Sequence, residues 1–366
     1  MRYISSRLLI ILSVGLVVGP SRSAVSAEPD PLFARANAVR VRSASLFRRP
    51  LLILDDGDYV FSRLSANGRF LAYADVVVKN NVESTALYVR DLKAGARRTL
   101  LDSDAASQYA AYKVFVTEAS WLDEFRVCFT LSDGDVGSTS LTYDVRTGAL
   151  VSSETSDEGD KLPEIPPRLR RLRSRILASF SAWSSEDLDM ALRFEAIEVP
   201  GRGVILQKDD AGIWLLDLTR GREKRLLSTT KGPQHALGGG ISVGGDTVFA
   251  VSYKSRAYLF ALDGRNTLKP LAGFSKARWL ADVRPRSLSS SGSFFLLRLE
   301  ESSKKGHNPA LYYSSKEGLL EISDGRTCYD FDVARKGDKA AFSFWVEGRR
   351  QLTVREKVTK SPGEGQ

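Results

Sequence analysis

The sequence has 366 residues, of which 43% are hydrophobic and 27% are charged, and its formal charge at pH 7 is +9. This composition excludes a disordered chain, and the one long apolar run lies at the N-terminus. With only two His and two Cys, the sequence disfavours a multi-histidine metal centre, a zinc ribbon and a disulfide-built scaffold.

Residues 1–27 have the three parts of a secretory signal. Two arginines without an acid precede the apolar core at residues 8–19, and Val25-Ser26-Ala27 offers small residues for cleavage. The core of 12 residues would span about 18 Å as a helix, short of the roughly 30 Å of a bilayer interior, which disfavours an uncleaved anchor. The sequence therefore predicts a periplasmic or secreted protein, cleaved near Ala27, with a mature charge of +6.

A short strand followed by a turn recurs along the chain. Each copy places β-forming residues before Asp, an apolar residue, two polar residues and Gly, which is the composition of a hairpin turn. The Asp and Gly of the three copies are Asp91 and Gly95, Asp144 and Gly148, and Asp217 and Gly221. A fourth copy, residues 257–262, precedes the tighter Asp263-Gly264 turn.

A second unit, a turn followed by an aromatic and aliphatic strand, lies upstream of these copies. Its last four glycines are Gly203, Gly245, Gly292 and Gly337, separated by 42, 47 and 45 residues. A four-stranded propeller blade needs about 40 to 45 residues. The strands are apolar on both faces, as expected where blades stack face to face around an axis.

Six such units can be counted, and the last has only three strands before a polar tail at residues 359–366. Residues 45–54 are predicted to supply its missing outer strand. We therefore expect an all-β fold, a six-bladed β-propeller over residues 28–358 that is closed by pairing of its N- and C-terminal strands. Seven blades are the alternative, if residues 187–199 and part of the insertion described below form a distorted unit.

The first unit carries a family resemblance. Residues 64–73 read LSANGRFLAY and residues 87–92 read LYVRDL. This pattern resembles the repeat of TolB-like (WD40-like) β-propellers, although Ala66-Asn67 stand where the repeat has Pro-Asp, and we expect no α/β domain before the propeller, unlike TolB itself. The resemblance implies a propeller fold and a cell-envelope setting.

Residues 152–190 form an insertion unlike the repeats, in which an acidic stretch and three prolines precede a basic segment. Apolar residues at spacings of 3, 4, 4 and 3 predict an amphipathic helix over residues 168–183. Its apolar residues are Leu169, Leu172, Ile176, Phe180 and Trp183, and its arginines are Arg168, Arg170, Arg171, Arg173 and Arg175. Three interpretations remain open: a lid packed on the propeller, peripheral contact with anionic lipid or glycan, and docking of an acidic protein.

The loops between the second and third strands of each unit should share one rim with this insertion. Cations on that rim could hold carboxylates or phosphates, Arg being suited to forked contacts. The candidate ligand-binding residues are Arg170, Arg171, Arg173, Lys254, Arg256, Lys304, Lys305, His307, Arg349 and Arg350.

Several apparent catalytic and metal motifs are interpreted as coincidence or turn chemistry. Residues 240–244 spell G-x-S-x-G but lie in a predicted glycine-rich strand instead of a strand-to-helix elbow. The aspartates at residues 55–58 and 133–135 lack the Glu that ends a calcium loop. We predict no catalytic residue, metal or cofactor. Cys128 and Cys328 fall in non-adjacent blades and are predicted to be separate, mostly buried thiols.

The first functional hypothesis is an exported cell-envelope module that binds a protein or an anionic surface polymer, with no nucleic-acid partner and a monomeric state. A rival hypothesis is a propeller enzyme acting on a carbohydrate or lactone through carboxylates such as Asp135, Asp209 and Glu300. A third is a structural module of an envelope complex.

Overall fold

The computed structural model describes residues 30–79, 82–106, 109, 115–132, 137–156, 164–181, 183–194, 196–208, 212–228, 235–254, 256–275, 281–289, 292–299 and 308–357. The predicted signal peptide and the predicted polar tail lie outside these residues. Four helices lie in the described part: α1 (Pro31–Ala38), α2 (Ser103–Ala106), α3 (Pro167–Ser179) and α4 (Ser185–Phe194).

Two N-terminal strands, β1 (Arg42–Ser43) and β2 (Phe47–Leu54), precede a regular series. Sheet 1 contains β3 (Tyr59–Leu64), β4 (Phe70–Lys79), β5 (Val82–Asp91) and β6 (Arg97–Leu101). Sheet 2 contains β7 (Phe115–Trp121), β8 (Arg126–Ser132), β9 (Ser138–Asp144) and β10 (Ala149–Ser156). Sheet 3 contains β11 (Ala196–Val199), β12 (Gly203–Lys208), β13 (Gly212–Asp217) and β14 (Arg222–Ser228).

Sheet 4 contains β15 (His235–Val243), β16 (Asp246–Tyr253), β17 (Arg256–Leu262) and β18 (Leu268–Ser275). Sheet 5 contains β19 (Ala281–Ser289), β20 (Gly292–Leu299), β21 (Ala310–Ser314) and β22 (Gly318–Glu321), with β1 added parallel to β22. Sheet 6 contains β23 (Cys328–Val333), β24 (Lys339–Val346) and β25 (Arg349–Lys357), with β2 added antiparallel to β25.

Consecutive strands of each sheet are antiparallel neighbours, so each sheet is an up-and-down meander whose first strand lies at one edge. These first strands pack beside one another: β3 contacts β7, and the series β11, β15, β19 and β23 continues back to β3. Six meander sheets, five of them with four strands and sheet 5 with β1 as a fifth, are the architecture expected of a β-propeller.

Apolar clusters join the faces of neighbouring sheets. Leu87 of sheet 1 packs with Phe129 of sheet 2, and Phe295 of sheet 5 packs with Leu259 of sheet 4. The cluster between sheets 6 and 1 includes Tyr73. Burial of both faces explains why strands such as β16 are apolar at nearly every position.

The N-terminal segment runs along four sheets. Asp30 caps α1 through Leu32 N and also accepts from Ser228 N of sheet 3. Phe33 of α1 stacks on Tyr253 of sheet 4 with 4.5 Å between ring centroids. The chain then adds β1 to sheet 5 and β2 to sheet 6.

The recurring Asp and Gly have a local explanation. Asp91 Oδ1 accepts hydrogen bonds from Lys93 N at 2.9 Å and Ala94 N at 3.1 Å, which closes the turn between the third and fourth strands. Gly95 has a φ of 72°, a conformation that residues with a Cβ rarely adopt. The hairpin turn predicted from the repeat is confirmed.

The structure corrects the boundaries of the insertion. β10 continues to Ser156, so the insertion begins later than residue 152, and its helices extend to Phe194 instead of ending at residue 190. The amphipathic helix ends at Ser179, which leaves Trp183 beyond it. The stretch considered for a seventh blade forms most of α4 and the first strand of sheet 3.

The cysteines are free thiols, as predicted, but they differ in burial. Cys328 is fully buried and its Sγ lies 2.9 Å from the carbonyl oxygen of Asp330. Cys128 is partly exposed, and both residues are mostly buried, as predicted.

Candidate functional site

Helix α3 begins at a Pro-Pro pair and packs its apolar side on sheet 3. Proline suits the first helical position because its fixed φ is close to the helical value. The backbone N–H that proline lacks would have no partner within the helix at this position. Leu169 and Ile176 are buried against Val204 and Leu216 of sheet 3. The lid-like packing predicted for the basic helix is therefore present.

The insertion covers a face of sheet 3, and this differs from the predicted position on a loop rim. Ile205 and Leu215 face sheet 4, while Val204, Leu206 and Leu216, from alternate positions of the same strands, face the helices. The helices thus occupy the side of sheet 3 on which a neighbouring sheet would pack in a regular propeller.

The face of sheet 2 that points away from sheet 1 is polar, which corrects the expectation that the recurring strands are apolar on both faces. Phe129 and Leu131 point into the cluster with sheet 1, and the alternate positions Cys128 and Thr130 belong to the other face. A row across all four strands consists of Glu118, Thr130, Ser140 and Glu154. Within the described ranges, no apolar cluster joins sheets 2 and 3.

An ion pair fixes α3 to α4. Both nitrogens on one edge of Arg173 donate to the Asp189 carboxylate, with 3.1 Å between Nη2 and Oδ2, and Nη2 also donates to Ser185 Oγ. The hydrogen bond from Arg173 holds the pKa of Asp189 below its usual range. Arg173 therefore has a structural partner inside the insertion.

The remaining arginines of α3 face solvent. Arg170 Nη2 lies 2.7 Å from Glu164 Oε2, and both side chains are exposed. Arg168, Arg171 and Arg175 are exposed and form no ion pair with any residue that the structure describes. The arrangement presents forked donors outward on a helix whose other side is anchored.

A lysine between two tryptophans marks the junction of the insertion with sheet 3. Lys208 Nζ lies 5.4 Å from the ring centroid of Trp183 and 5.6 Å from that of Trp214, and 3.2 Å from Glu223 Oε2. Cation–π contacts of this kind hold the ammonium between the rings. Sequence reasoning missed Lys208 because Trp183 belongs to the insertion, while Trp214 and Glu223 lie on the two strands that follow Lys208.

Two of the predicted loop cations contact the turn before β3. Arg350 binds Asp58 through two hydrogen bonds and stacks on Tyr329 at 4.6 Å, and these hydrogen bonds raise its pKa against the opposing effect of burial. Arg349 Nη1 donates to Asp55 O at 3.1 Å. Arg350, one of the predicted ligand-binding residues, thus has its charge paired with Asp58 across the boundary between sheets 6 and 1.

The other predicted loop residues are placed as follows. Lys254 Nζ lies 5.3 Å above the ring of its neighbour Tyr253, and the Arg256 side chain is exposed. Lys304, Lys305 and His307 lie outside the described residues.

The interpretation of the catalytic and metal motifs can be checked in part. Ser242 of the G-x-S-x-G segment lies in β15, as expected for a strand, and its Oγ is 3.4 Å from Thr247 Oγ1. Asp58, in the turn before β3, is the partner of Arg350. No group of three or more His, Cys, Asp or Glu side chains suited to a metal occurs among the described residues. Asp135, Asp209 and Glu300, on which the enzyme hypothesis depends, lie outside them.

Comparisons with known proteins give similarity in fold alone. No family model and no curated protein matches the chain. Similar solved structures include the β-propeller domain of the Trilobed protease from Pyrococcus furiosus, at 15% identity over 83% of this chain and 86% of that one, with a TM-score of 0.32. The Dos1 propeller is 11% identical over 84% and 94% of the two chains, with a TM-score of 0.29.

An acylaminoacyl peptidase from Pyrococcus horikoshii is 14% identical over 83% of this chain, with a TM-score of 0.32, and the match spans 46% of the peptidase. The chain therefore covers about half the length of this enzyme. The described sheet topology, and not these similarities, defines the fold here. Within the described part, the helices lack the length and hydrophobicity needed to cross a bilayer.

Proposed function

We propose that this chain is a six-bladed, TolB-like β-propeller of the cell envelope that binds an anionic macromolecule through α3. The secretory pattern at residues 1–27 supports export, and the pairing of β2 with β25 supports closure of the ring by its two ends. The six meander sheets support the blade count.

One observation carries the binding role: α3 is anchored by its apolar side and presents arginines on the other. Arg168, Arg171 and Arg175 stay exposed while Arg173 fixes the helix to α4. The anchored helix fixes the backbone positions of these arginines before binding, so that only their side chains have to be ordered, and the guanidinium fork matches carboxylates and phosphates. An acidic envelope protein or an anionic surface polymer is the partner class that this surface fits.

The test compares two triple variants of the mature chain that carry the same change in charge. The test variant has Arg168→Gln, Arg171→Gln and Arg175→Gln, which leaves the Arg173 ion pair intact. The control has Arg40→Gln, Arg222→Gln and Arg265→Gln, which are exposed arginines outside the insertion.

Both variants are immobilised beside the parent and exposed to polygalacturonate, to poly-glutamate and to vesicles containing phosphatidylglycerol. We expect salt-sensitive binding of a polyanion by the parent and the control, and at least a tenfold weaker affinity for the test variant. Equal affinity of the two variants for the polyanion would show that the arginines of α3 do not form the binding site. Binding to vesicles alone would assign the helix to the membrane surface.

A further inference from the structure

A cavity of about 340 Å³ lies where the N-terminal strand joins sheet 6. Ser45, Phe47 and Arg48 line it from the N-terminal side. Asp324, Arg326 and Arg355 line it from the C-terminal sheet and the turn before that sheet. Its size falls in the lower part of the range that small-molecule sites occupy.

The cavity has more positive than negative charge. Arg355 Nη1 lies 2.6 Å from Asp324 Oδ2, and Arg326 Nη2 lies 3.8 Å from the same oxygen, so one carboxylate serves two guanidiniums. Arg48 directs its Nε to the carbonyl oxygen of Ser45 at 2.9 Å. Three guanidiniums and one carboxylate leave a formal excess of two positive charges at the cavity wall.

Aromatic rings hold two of these guanidiniums in place. Arg326 Cζ lies 3.8 Å from the ring centroid of Phe344, and Arg355 Cζ lies 5.7 Å from it. A guanidinium stacked by its face keeps its N–H edge for hydrogen bonding. Burial lowers the pKa of Arg326, and repulsion from Arg355 lowers it further, against the attraction of Asp324. An anion bound between the two guanidiniums would offset their repulsion.

We propose that this cavity binds a compact oxyanion of the phosphate class, bridging Arg48 on the N-terminal segment with Arg326 and Arg355 on the C-terminal sheet. The site differs from α3 in residues and in sheet, and it does not depend on the proposed docking role. Its two walls come from opposite ends of the chain, and β2 is joined to β25 beside it. Occupancy therefore favours the paired state of β2, because a ligand stabilises the state that binds it.

The experiment uses the full chain, with inorganic phosphate and O-phosphoserine as probes and chloride at matched ionic strength as the reference. Binding is measured by calorimetry, and amide hydrogen exchange is followed across Phe47–Leu54. We expect saturable binding together with slower exchange in β2. Tighter binding of O-phosphoserine would identify a phosphorylated molecule as the ligand. Tighter binding of inorganic phosphate would identify the free ion as the ligand.

Arg48→Gln and Arg49→Gln form the matched pair of variants. Arg49 is the adjacent arginine, does not line the cavity, and has a side chain that is 74% exposed, with 3.8 Å between its Nη1 and Glu356 Oε2. We expect Arg48→Gln to weaken phosphate binding by about tenfold and Arg49→Gln to leave it near the parental value. Equal binding by the two variants, or no saturation by either probe at tens of millimolar, would overturn the proposal.

Discussion

Arg63 and Asp330 form a buried ion pair between the first strands of sheets 1 and 6, with 2.6 Å between Nη1 and Oδ2 and side chains that are 12% and 7% exposed. Arg63 Nε also donates to Ala119 O of sheet 2, and the backbone carbonyl oxygen of Arg63 accepts from Trp121 Nε1 of the same sheet. A single side chain thus ties three sheets together at their first strands.

Removal of one partner of this ion pair should lower the free energy of unfolding. Asp330→Ala would leave a buried guanidinium without its main counter-charge, and we expect a loss of about 3 to 5 kcal/mol of unfolding free energy. Urea denaturation measures this value. Arg49→Ala, which breaks the exposed pair with Glu356, should change stability by less than about 1 kcal/mol. Similar losses in the two variants would contradict the assigned role of the Arg63 pair.

Packing of α3 can be tested at Ile176, which is fully buried against sheet 3. Ile176→Ala should destabilise the protein by about 2 to 5 kcal/mol, since it removes buried methyl groups and leaves a cavity. Hydrogen exchange should increase first in α3 and α4. The neighbouring Arg175→Ala is exposed and serves as the control, with an expected change within about 0.5 kcal/mol.

A pH-dependent effect is expected at Asp75. Burial raises the pKa of its carboxyl group above 3.8, and the charges of Asp58 and Asp56 act in the same direction, against the hydrogen bond from Asp58 N. Between the unfolded and the folded pKa, the folded state holds more protons, so this group lowers stability as pH rises through that window. The penalty is complete once the pH exceeds the folded pKa.

Asp75→Asn keeps an acceptor oxygen for Asp58 N and removes the buried charge. Its Tm should exceed that of the parent at pH 7, and the gain should disappear below pH 3.8, where the carboxyl is protonated in both states. Asp55→Asn, at an exposed position of the turn that contains Asp58, provides the control. A lower Tm for Asp75→Asn at pH 7 would show that the carboxylate is stabilising.

The hairpin between β24 and β25 has a two-residue loop with positive φ at both positions, 47° at Glu347 and 89° at Gly348. A loop of this kind favours Asn-Gly, because Asn tolerates the left-handed region better than Glu. Glu347→Asn should stabilise the protein by about 0.5 kcal/mol in urea denaturation. Glu347→Val should lower the free energy of unfolding. A change of the same sign in both variants would refute the conformational explanation.

Thiol chemistry separates the two cysteines. With a disulfide-forming thiol reagent, the native protein should react at the partly exposed Cys128 while the fully buried Cys328 stays protected. Denaturation without reductant should release both thiols. Failure to detect either thiol after denaturation would mean a disulfide and a different arrangement of sheets.

The parts of the fold that depend on local chemistry were predictable. Asp91 and Gly95 close a turn with their own neighbours, and the spacing of Leu169 and Ile176 on α3 is a property of one helix. Helix α4 also carried a signal: Ser184 Oγ accepts from Asp187 N at 3.0 Å, a helix-start pattern that the sequence analysis passed over.

Long-range pairings were not predictable in the same way. Arg350 and Asp58 are 292 residues apart, so their ion pair has no local signature. The polar face of sheet 2 did have a local signature, because Thr130 and Ser132 alternate with Phe129 and Leu131 in β8. The general expectation of two apolar faces masked it. Helix α1 is too short for periodicity to reveal, and its position depends on the aromatic surface that Tyr253 provides.

The attachment of β2 to β25 has a consequence for biosynthesis. The strand that completes sheet 6 precedes sheets 1 to 5 in the chain and is synthesised before them, whereas its partner, Arg349–Lys357, is synthesised after them. Until that partner emerges, the N-terminal segment can dock on the sheets already formed, but sheet 6 stays unfinished. Pairing of β2 with β25 is therefore a contact between segments far apart in sequence, which slows folding and leaves the edge of sheet 6 open to incorrect pairing until it forms.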